Sequence, residues 1–244
     1  MSLDKEFFDK YEYQKVEFDG KEYEAPLRYN DFLRMVAYFP AKARKLKKYL
    51  PTKKLKLVKP FPGMSIIFII AFEYRDVSHL EPYNEVGIGF PVVLKDQKKK
   101  IQGTYLIHLP VTTEEACKLG VEISGFPKFV ADITFEETEH TKICSLKHEN
   151  KEILSIECKK LDTDIRSSEG NNFTVKGNKL LRTVVTLQSL YGWTRQKGEA
   201  ILTLGNHPIS EELRELLLKT ESVGHEYEPT AQLSLPFAEE EYDL

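Results

Sequence analysis

The stretch "GMSIIFIIAFEYR", residues 63–75, contains the longest apolar run of the chain, "SIIFIIAF". That run is far shorter than the ~20 residues a membrane-spanning helix needs, and its isoleucines and phenylalanines favour an extended strand. It has many counterparts. Upstream lies "LKLVK" (55–59); downstream lie "EVGIGFPVVLK" (85–95), "GTYLIHLPV" (103–111), "KFVADITFEE" (128–137), "TKICSLKH" (141–148) and "KEILSIECKK" (151–160). All are short, rich in β-branched and aromatic residues, and divided by charged or Gly/Pro-containing turns. "KLLRTVVTLQS" (179–189), "EAILTLG" (199–205) and "EPTAQLSLPF" (228–237) continue the pattern, and "KVEFDGKEYEAPLRY" (15–29) reads as a hairpin turning at Asp19-Gly20, a pair that accepts positive φ.

Helical signals are fewer. "YNDFLRMVAYFP" (29–40) spaces Phe32, Met35, Val36 and Phe39 at helical intervals behind Asn30-Asp31 and predicts a helix, and "PAKARKLKKYL" (40–50) predicts a second. "TTEEACKLG" (112–120) combines a threonine cap, early glutamates and a closing glycine, and "SEELRELLLK" (210–219) follows a Ser210 cap. The polar, turn-rich "DTDIRSSEGNNFTVKGNK" (162–179) predicts a long loop. Strands outnumber helices without alternating regularly with them. The expected fold is therefore mainly β, of the α+β class: an antiparallel β-barrel or cone with a few peripheral helices, one domain over residues 1–244.

With 41% hydrophobic and 30% charged residues, the 244-residue chain can bury a sizeable core beneath a soluble exterior. A net charge of -3 argues against a nucleic-acid partner. The basic stretch "KARKLKKYLPTKKLKLVK" (42–59) lacks the aromatic interleaving of a single-strand platform and reads as a solvated face. Cys117, Cys144 and Cys158 form no CxxC and have no closely spaced histidine, which argues against a disulfide framework or a zinc site. The N-terminus shows neither a basic nor a continuous apolar signal segment, so the expected setting is the reducing cytoplasm, with no membrane partner. GxxxxGK[ST], HExxH and GxSxG are absent, and "GIG" (87–89) lacks the third glycine and the helix of a dinucleotide loop. No metal or organic cofactor is expected.

"GVEISGFPKFVADI" (120–133) sets Lys128 directly after a proline, with phenylalanines at 126 and 129. On periodicity alone, a strand from 128 puts Phe129, Ala131 and Ile133 on an apolar face and Lys128, Val130 and Asp132 on a solvated one. The same stretch resembles the signature of the acetoacetate decarboxylase family, Gly-x-Glu-x-x-(small)-aromatic-Pro-Lys, through Gly120, Glu122, Gly125, Phe126, Pro127 and Lys128. "YNEVGIGFPV" (83–92) resembles the family's Tyr-x-Glu-x-Gly-x-x-x-Pro-Val segment and "GTYLIHLPV" its Tyr-Leu segment. "FDGKEY" (18–23) is similar to the family's N-terminal hairpin, "GWT" (192–194) to its late Trp-Thr motif and "GNHPI" (205–209) to its C-terminal region.

The resemblance implies that Lys128 forms a Schiff base with a small oxo acid, decarboxylating a β-keto acid, in a protein that is a homo-oligomer. It makes Glu85 the active-site glutamate, which positions substrate or moves a proton, and Glu122 an orienting acceptor. The chemistry needs an unprotonated amine, a form reached when a lysine pKa falls from ~10.4; a collar of Phe126, Pro127 and Val130 is expected to supply the desolvation. This chain departs from the family at three positions. Lys21 stands where the family has an arginine that can contact the substrate carboxylate, Phe68 where the decarboxylase has another glutamate, and Phe129 where a second lysine follows the first. These departures keep open aldol addition and dehydration from an oxo acid such as pyruvate plus an aldehyde; non-catalytic binding of a small ligand on the same fold is a separate alternative. Trp193 is expected in the core or the pocket wall.

Overall fold

In the computed structural model, which describes residues 3–96 and 99–244, the apolar run lies in a strand covered on both faces. The chain begins with a hairpin, Gln14–Phe18 (β1) and Lys21–Ala25 (β2). Leu27–Lys42 (β3), the short helix Ala43–Leu46 (α1), Leu55–Leu57 (β4), Met64–Val77 (β5), Tyr83–Asp96 (β6) and Lys99–His108 (β7) follow. Helix Glu114–Ser124 (α2) leads into Asp132–Glu137 (β8), Thr141–His148 (β9) and Lys151–Lys159 (β10). Asp164–Lys176 (β11), Lys179–Thr194 (β12), Ala200–Leu204 (β13), helix Pro208–Leu216 (α3), Gly224–Leu235 (β14) and Glu240–Asp243 (β15) complete the order.

The strands β11-β7-β6-β5-β3-β14-β12 are hydrogen-bonded in that order, and β12 pairs back to β11, closing a seven-stranded barrel. Every pairing in it is antiparallel except the short parallel contact of β11 with β7. A second sheet, β13-β10-β9-β8, covers part of the outer wall together with α3. Met35 and Phe39 of β3, Ile69 of β5 and Ile88 of β6 meet Leu146, Ile156 and Leu213 in that outer core. The alternate residues of β5, Phe68, Ile70 and Phe72, face the lumen. Apolar side chains on both faces explain why "SIIFIIAF" shows no alternation. Ile69 is fully buried, so Ile69→Ala is expected to cost about 2–5 kcal/mol, measured as a lower urea midpoint at unchanged slope.

Two expectations fail here. Residues 29–40 form part of β3 rather than a helix, held by continuous pairing with β5 from Phe32 to Lys42. Met35, Ala37 and Phe39 face the outer core while Arg34 and Tyr38 face the lumen, so the helical spacing is incidental to a strand buried on both sides. Residues 164–176 are a strand rather than a loop, paired residue by residue with β12. Arg166, Ser168, Asn171 and Asn172 of this strand line the lumen, so its polar composition belongs to the cavity wall. The basic stretch holds α1, a 3-10 turn and β4, with Lys47, Lys48, Lys53, Lys54, Lys56 and Lys59 exposed. Cys117, Cys144 and Cys158 are free thiols. Among the described residues, no helix is long and apolar enough to cross a membrane and no cluster could hold a metal ion.

Candidate active site

Thr113 caps α2, its hydroxyl accepting from the Ala116 amide at 3.4 Å, and Glu114 and Glu115 occupy the first turn. The helix runs past Gly120 to Ser124 and ends on Gly125, whose φ of 65° is the left-handed conformation that glycine adopts without strain. Gly120 therefore serves another purpose than the helix end expected of it.

Beyond Gly125 the chain turns sharply. The Lys128 amide donates to the Phe126 carbonyl at 2.8 Å, and the next residues run beside 109–111: Leu109 donates to the Pro127 carbonyl at 3.0 Å and Ala131 to that of Val111 at 2.9 Å. Val111 in turn bridges to Glu85 on β6. This relay brings Lys128 to Glu85 across 43 positions of sequence, 128 less 85. Lys128 precedes β8 and its side chain is only 7% exposed, so the solvated strand position expected from periodicity is not the one it occupies.

Lys128 Nζ lies 2.7 Å from Glu85 Oε2, with the Glu85 side chain 8% exposed. Oε2 receives no aligned hydrogen bond, so the contact is an ion pair. The Tyr74 hydroxyl donates to Glu85 Oε1 at 3.3 Å, and the Tyr29 and Tyr83 hydroxyls are 3.0 Å apart. Burial, with the charge of Glu85 adding to it, pushes all three phenols above their ordinary range and keeps them protonated donors. Lys128 Nζ stands 5.7 Å from the Tyr83 ring centroid and 5.9 Å from that of Phe126, which with Phe68 is one of the expected apolar residues that do line the lumen.

Gly120 sets the lysine rotamer. A Cβ at position 120 would lie 2.6 Å from both Cδ and Cε of Lys128, so the helix is bare where the lysine stem crosses it. Gly120→Ala is expected to keep or raise helix stability, since alanine is favoured over glycine by about 1 kcal/mol in a helix, while displacing the amine. A shift of that kind should lower turnover about 10²-fold. Thermal melting and steady-state rates on one preparation check both halves; an active, unperturbed variant would show that the stem can take another path.

The lumen is a cavity of about 540 Å³. Gly87 and Gly89 of β6 keep it open to the side chains of β5, for a Cβ at these positions would lie 2.7 Å from Ile70 Cγ2 and 2.8 Å from Phe68 Cζ. "GIG" is thus a packing feature of a barrel wall.

The remaining expected site residues lie elsewhere. Lys21 Nζ is held 2.6 Å from Glu115 Oε1 and 2.8 Å from the His79 carbonyl, half-exposed outside the lumen. Burial raises the Glu115 carboxyl, but hydrogen bonds from Lys21 and Tyr23 outweigh it and hold the group below its ordinary value. Glu122 is exposed on α2, while the carboxylate paired with Lys128 is that of Glu85. Val130 bridges to Val111, and Phe129 packs against the His148 ring at 5.2 Å. Trp193 is 52% exposed under the Arg195 guanidinium, in neither core nor pocket.

Residue types alone did not single out Tyr29, Tyr74, Arg34 or Glu228, all of which line the lumen. Tyr83 stands two residues before Glu85 in "YNEVGIG", the one local signal that it shares that face.

The sequence profile described as acetoacetate decarboxylase (ADC) matches residues 21–236. Among solved structures, one from structural studies of acetoacetate decarboxylase superposes with a TM-score of 0.67 at 18% identity, covering 90% of each chain. The acetoacetate decarboxylase of Legionella pneumophila subsp. pneumophila str. Philadelphia 1 gives 0.64 at 19% identity, covering 89% of this chain and 88% of that one. The enduracididine biosynthesis enzyme MppR, complexed with pyruvate, gives 0.56 at 12% identity over 86% and 88%. No curated protein sequence matches the chain.

Proposed function

The chain belongs to the acetoacetate decarboxylase family, and from that premise we propose a Schiff-base-forming enzyme of small oxo acids, with Lys128 as nucleophile and decarboxylation of a β-keto acid as its reaction. The observation that carries this reading is the Lys128–Glu85 pair, buried at the wall of the lumen.

Passing a proton from the Lys128 ammonium to the Glu85 carboxylate leaves a neutral amine beside a neutral acid, with no net charge moved into or out of the lumen. The amine attacks the ketone carbon, a proton moves from the nitrogen to the resulting alkoxide, and Glu85 returns its proton to that hydroxyl, which leaves as water while the nitrogen lone pair closes the iminium. The bond to the carboxylate carbon then breaks; its electron pair forms the enamine double bond and CO2 departs. Protonation of the enamine carbon and hydrolysis release the ketone and restore the amine. Phe68, Ile70 and Leu106 give the lumen an apolar wall, which favours a step that disperses the carboxylate charge.

A second reading shares the same first steps. MppR has also been solved with the condensation product of pyruvate and imidazole 4-carboxaldehyde. An enamine formed here from pyruvate could likewise add to an aldehyde and lose water. We place the protein in a reducing cytoplasm as a homo-oligomer, a state that size-exclusion chromatography with light scattering reads directly.

Borohydride reduction with acetoacetate, then with pyruvate, followed by intact-mass spectrometry and peptide mapping, tests the proposal. A substrate-sized adduct on Lys128 is expected; CO2 release or a condensed enone then separates the two reactions. No adduct with either acid, or one mapped to another lysine, would sink it.

A further inference from the structure

A second, smaller cavity also reaches Lys128. Its walls are the N-terminal hairpin, through Val16 and Tyr23, helix α2, through Ala116, Leu119 and Ile123, and the end of β14. Phe126, Lys128 and Leu235 line both this cavity and the lumen, so the two spaces meet at the lysine. Gly120 lines the smaller one as well, and a Cβ there would stand 3.1 Å from Lys128 Nζ, so a group seated against Gly120 is within reach of the nitrogen. The hairpin is clasped onto α2 beside it: the Tyr23 hydroxyl donates to Glu115 Oε1 at 2.8 Å, and Lys21 Nζ lies 2.6 Å from the same oxygen.

The two spaces differ in chemistry. Among the described residues that line the smaller cavity, Lys128 is the only cation, and the only acid, Glu24, is already paired with Arg28 at 3.0 Å. Most of the remaining wall is aliphatic or aromatic carbon. A carboxylate seated there would give up its hydration beside Glu24 and gain neither a guanidinium nor a second ammonium. Tyr29, Tyr74, Arg166 and Asn172 line the lumen, by contrast, and offer it polar partners. An imine carbon formed from a 3-oxo acid carries two arms, one ending in the carboxylate and one a plain alkyl group. Sorting by polarity sends the acid arm into the lumen and the alkyl arm into the smaller cavity. Size limits that arm: at roughly 10–15 Å³ for one water-sized group, a cavity of about 40 Å³ takes about three of them, the length of a propyl chain.

We propose that this cavity is an alkyl subsite, with Ile123 limiting its depth, which seats the unbranched arm of a 3-oxo acid on the side of the carbonyl away from the carboxylate. Acids with an ethyl or propyl arm are then better substrates than acetoacetate, whose methyl arm fills only part of the space. This rests on imine formation at Lys128, which fixes the carbonyl carbon where the two cavities meet.

The test is borohydride trapping read by intact-mass spectrometry, at graded concentrations of acetoacetate, 3-oxopentanoate, 3-oxohexanoate and 3-oxooctanoate. Adducts trapped before and after loss of CO2 are both counted, so the readout does not depend on which reaction follows the imine. In the wild type the half-saturating concentration is expected to fall about fourfold for each methylene buried, up to the propyl arm, and to rise again for the pentyl arm, which exceeds the cavity. Ile123→Trp, which fills the space, is expected to remove the gain of propyl over methyl, and Ile123→Ala to move the optimum to the pentyl arm. A flat series overturns the proposal, and so does one that keeps falling through the pentyl arm, as unspecific apolar attraction would make it. An optimum that neither substitution moves, in variants that melt cooperatively, overturns it as well. The wild-type optimum alone decides if the variants do not fold. Adducts on Lys128 without an optimum remove the alkyl subsite and leave the imine; no adduct from any of the four acids removes the imine, and the subsite with it.

Discussion

Lys128→Ala is expected to abolish the borohydride-trapped adduct and reduce CO2 release to the uncatalysed rate, a loss of about 10⁶-fold or more if the enzyme reaches the usual range of acceleration. Among the described residues lining the lumen no other lysine can replace it as an amine, and Arg34 is a guanidinium held by two carboxylates. The same substitution strips Glu85 of its cation in a site where its side chain is 8% exposed. Removing one partner of a buried pair costs up to about 3–5 kcal/mol, so the variant should also melt earlier, and adding Glu85→Gln should recover part of the loss. Trapping, CO2 release and melting on the three proteins separate chemistry from stability. An adduct that survives in Lys128→Ala places the imine on another lysine; a variant as stable as wild type argues that the pair carries no net electrostatic weight in the fold.

Glu85→Gln is expected to leave the amine able to form an adduct, more slowly, while turnover falls about 10²- to 10⁴-fold, the usual contribution of a positioned acid–base group. The amide keeps the shape of the side chain and the contact with the Tyr74 hydroxyl but cannot take the lysine proton. The discriminating quantity is the ratio of trapping rate to turnover. Loss of both in equal measure assigns Glu85 to generation of the free amine; loss of turnover alone assigns it to the later proton transfers. Unchanged turnover leaves it a packing and pairing role.

Much of the β architecture was legible because its strands are interrupted by turns and rich in β-branched residues, as at 63–75 and 141–159, and α2 announced itself through Thr113 and its glutamates. The lysine motif was equally local. Gly120, Gly125, Phe126 and Lys128 lie within nine residues, 120 to 128, and one helix end with one tight turn sets their mutual placement. Lys21 and Glu122 were singled out by the family resemblance, and no local pattern fixes where their side chains stand. Lys21, in the N-terminal hairpin, is bound to Glu115, and Glu122 is exposed on α2.

What the sequence by itself determined is therefore the set of elements with one chemical signature each, and the fragment that carries the nucleophile. Only the tertiary structure decided β3, β11 and the far wall of the lumen. Side-chain periodicity reports burial when one face is dry and the other wet, but β3 is buried on both faces and β11 separates two polar environments, so neither shows a clean period. Likewise Arg34, Glu226 and Glu228 read as ordinary charged residues until strand register brings them into the cavity that Lys128 also lines. Register is set by ladders between strands nearly 200 positions apart, the separation of Arg34 from Glu226 being 192, and no local pattern encodes that pairing.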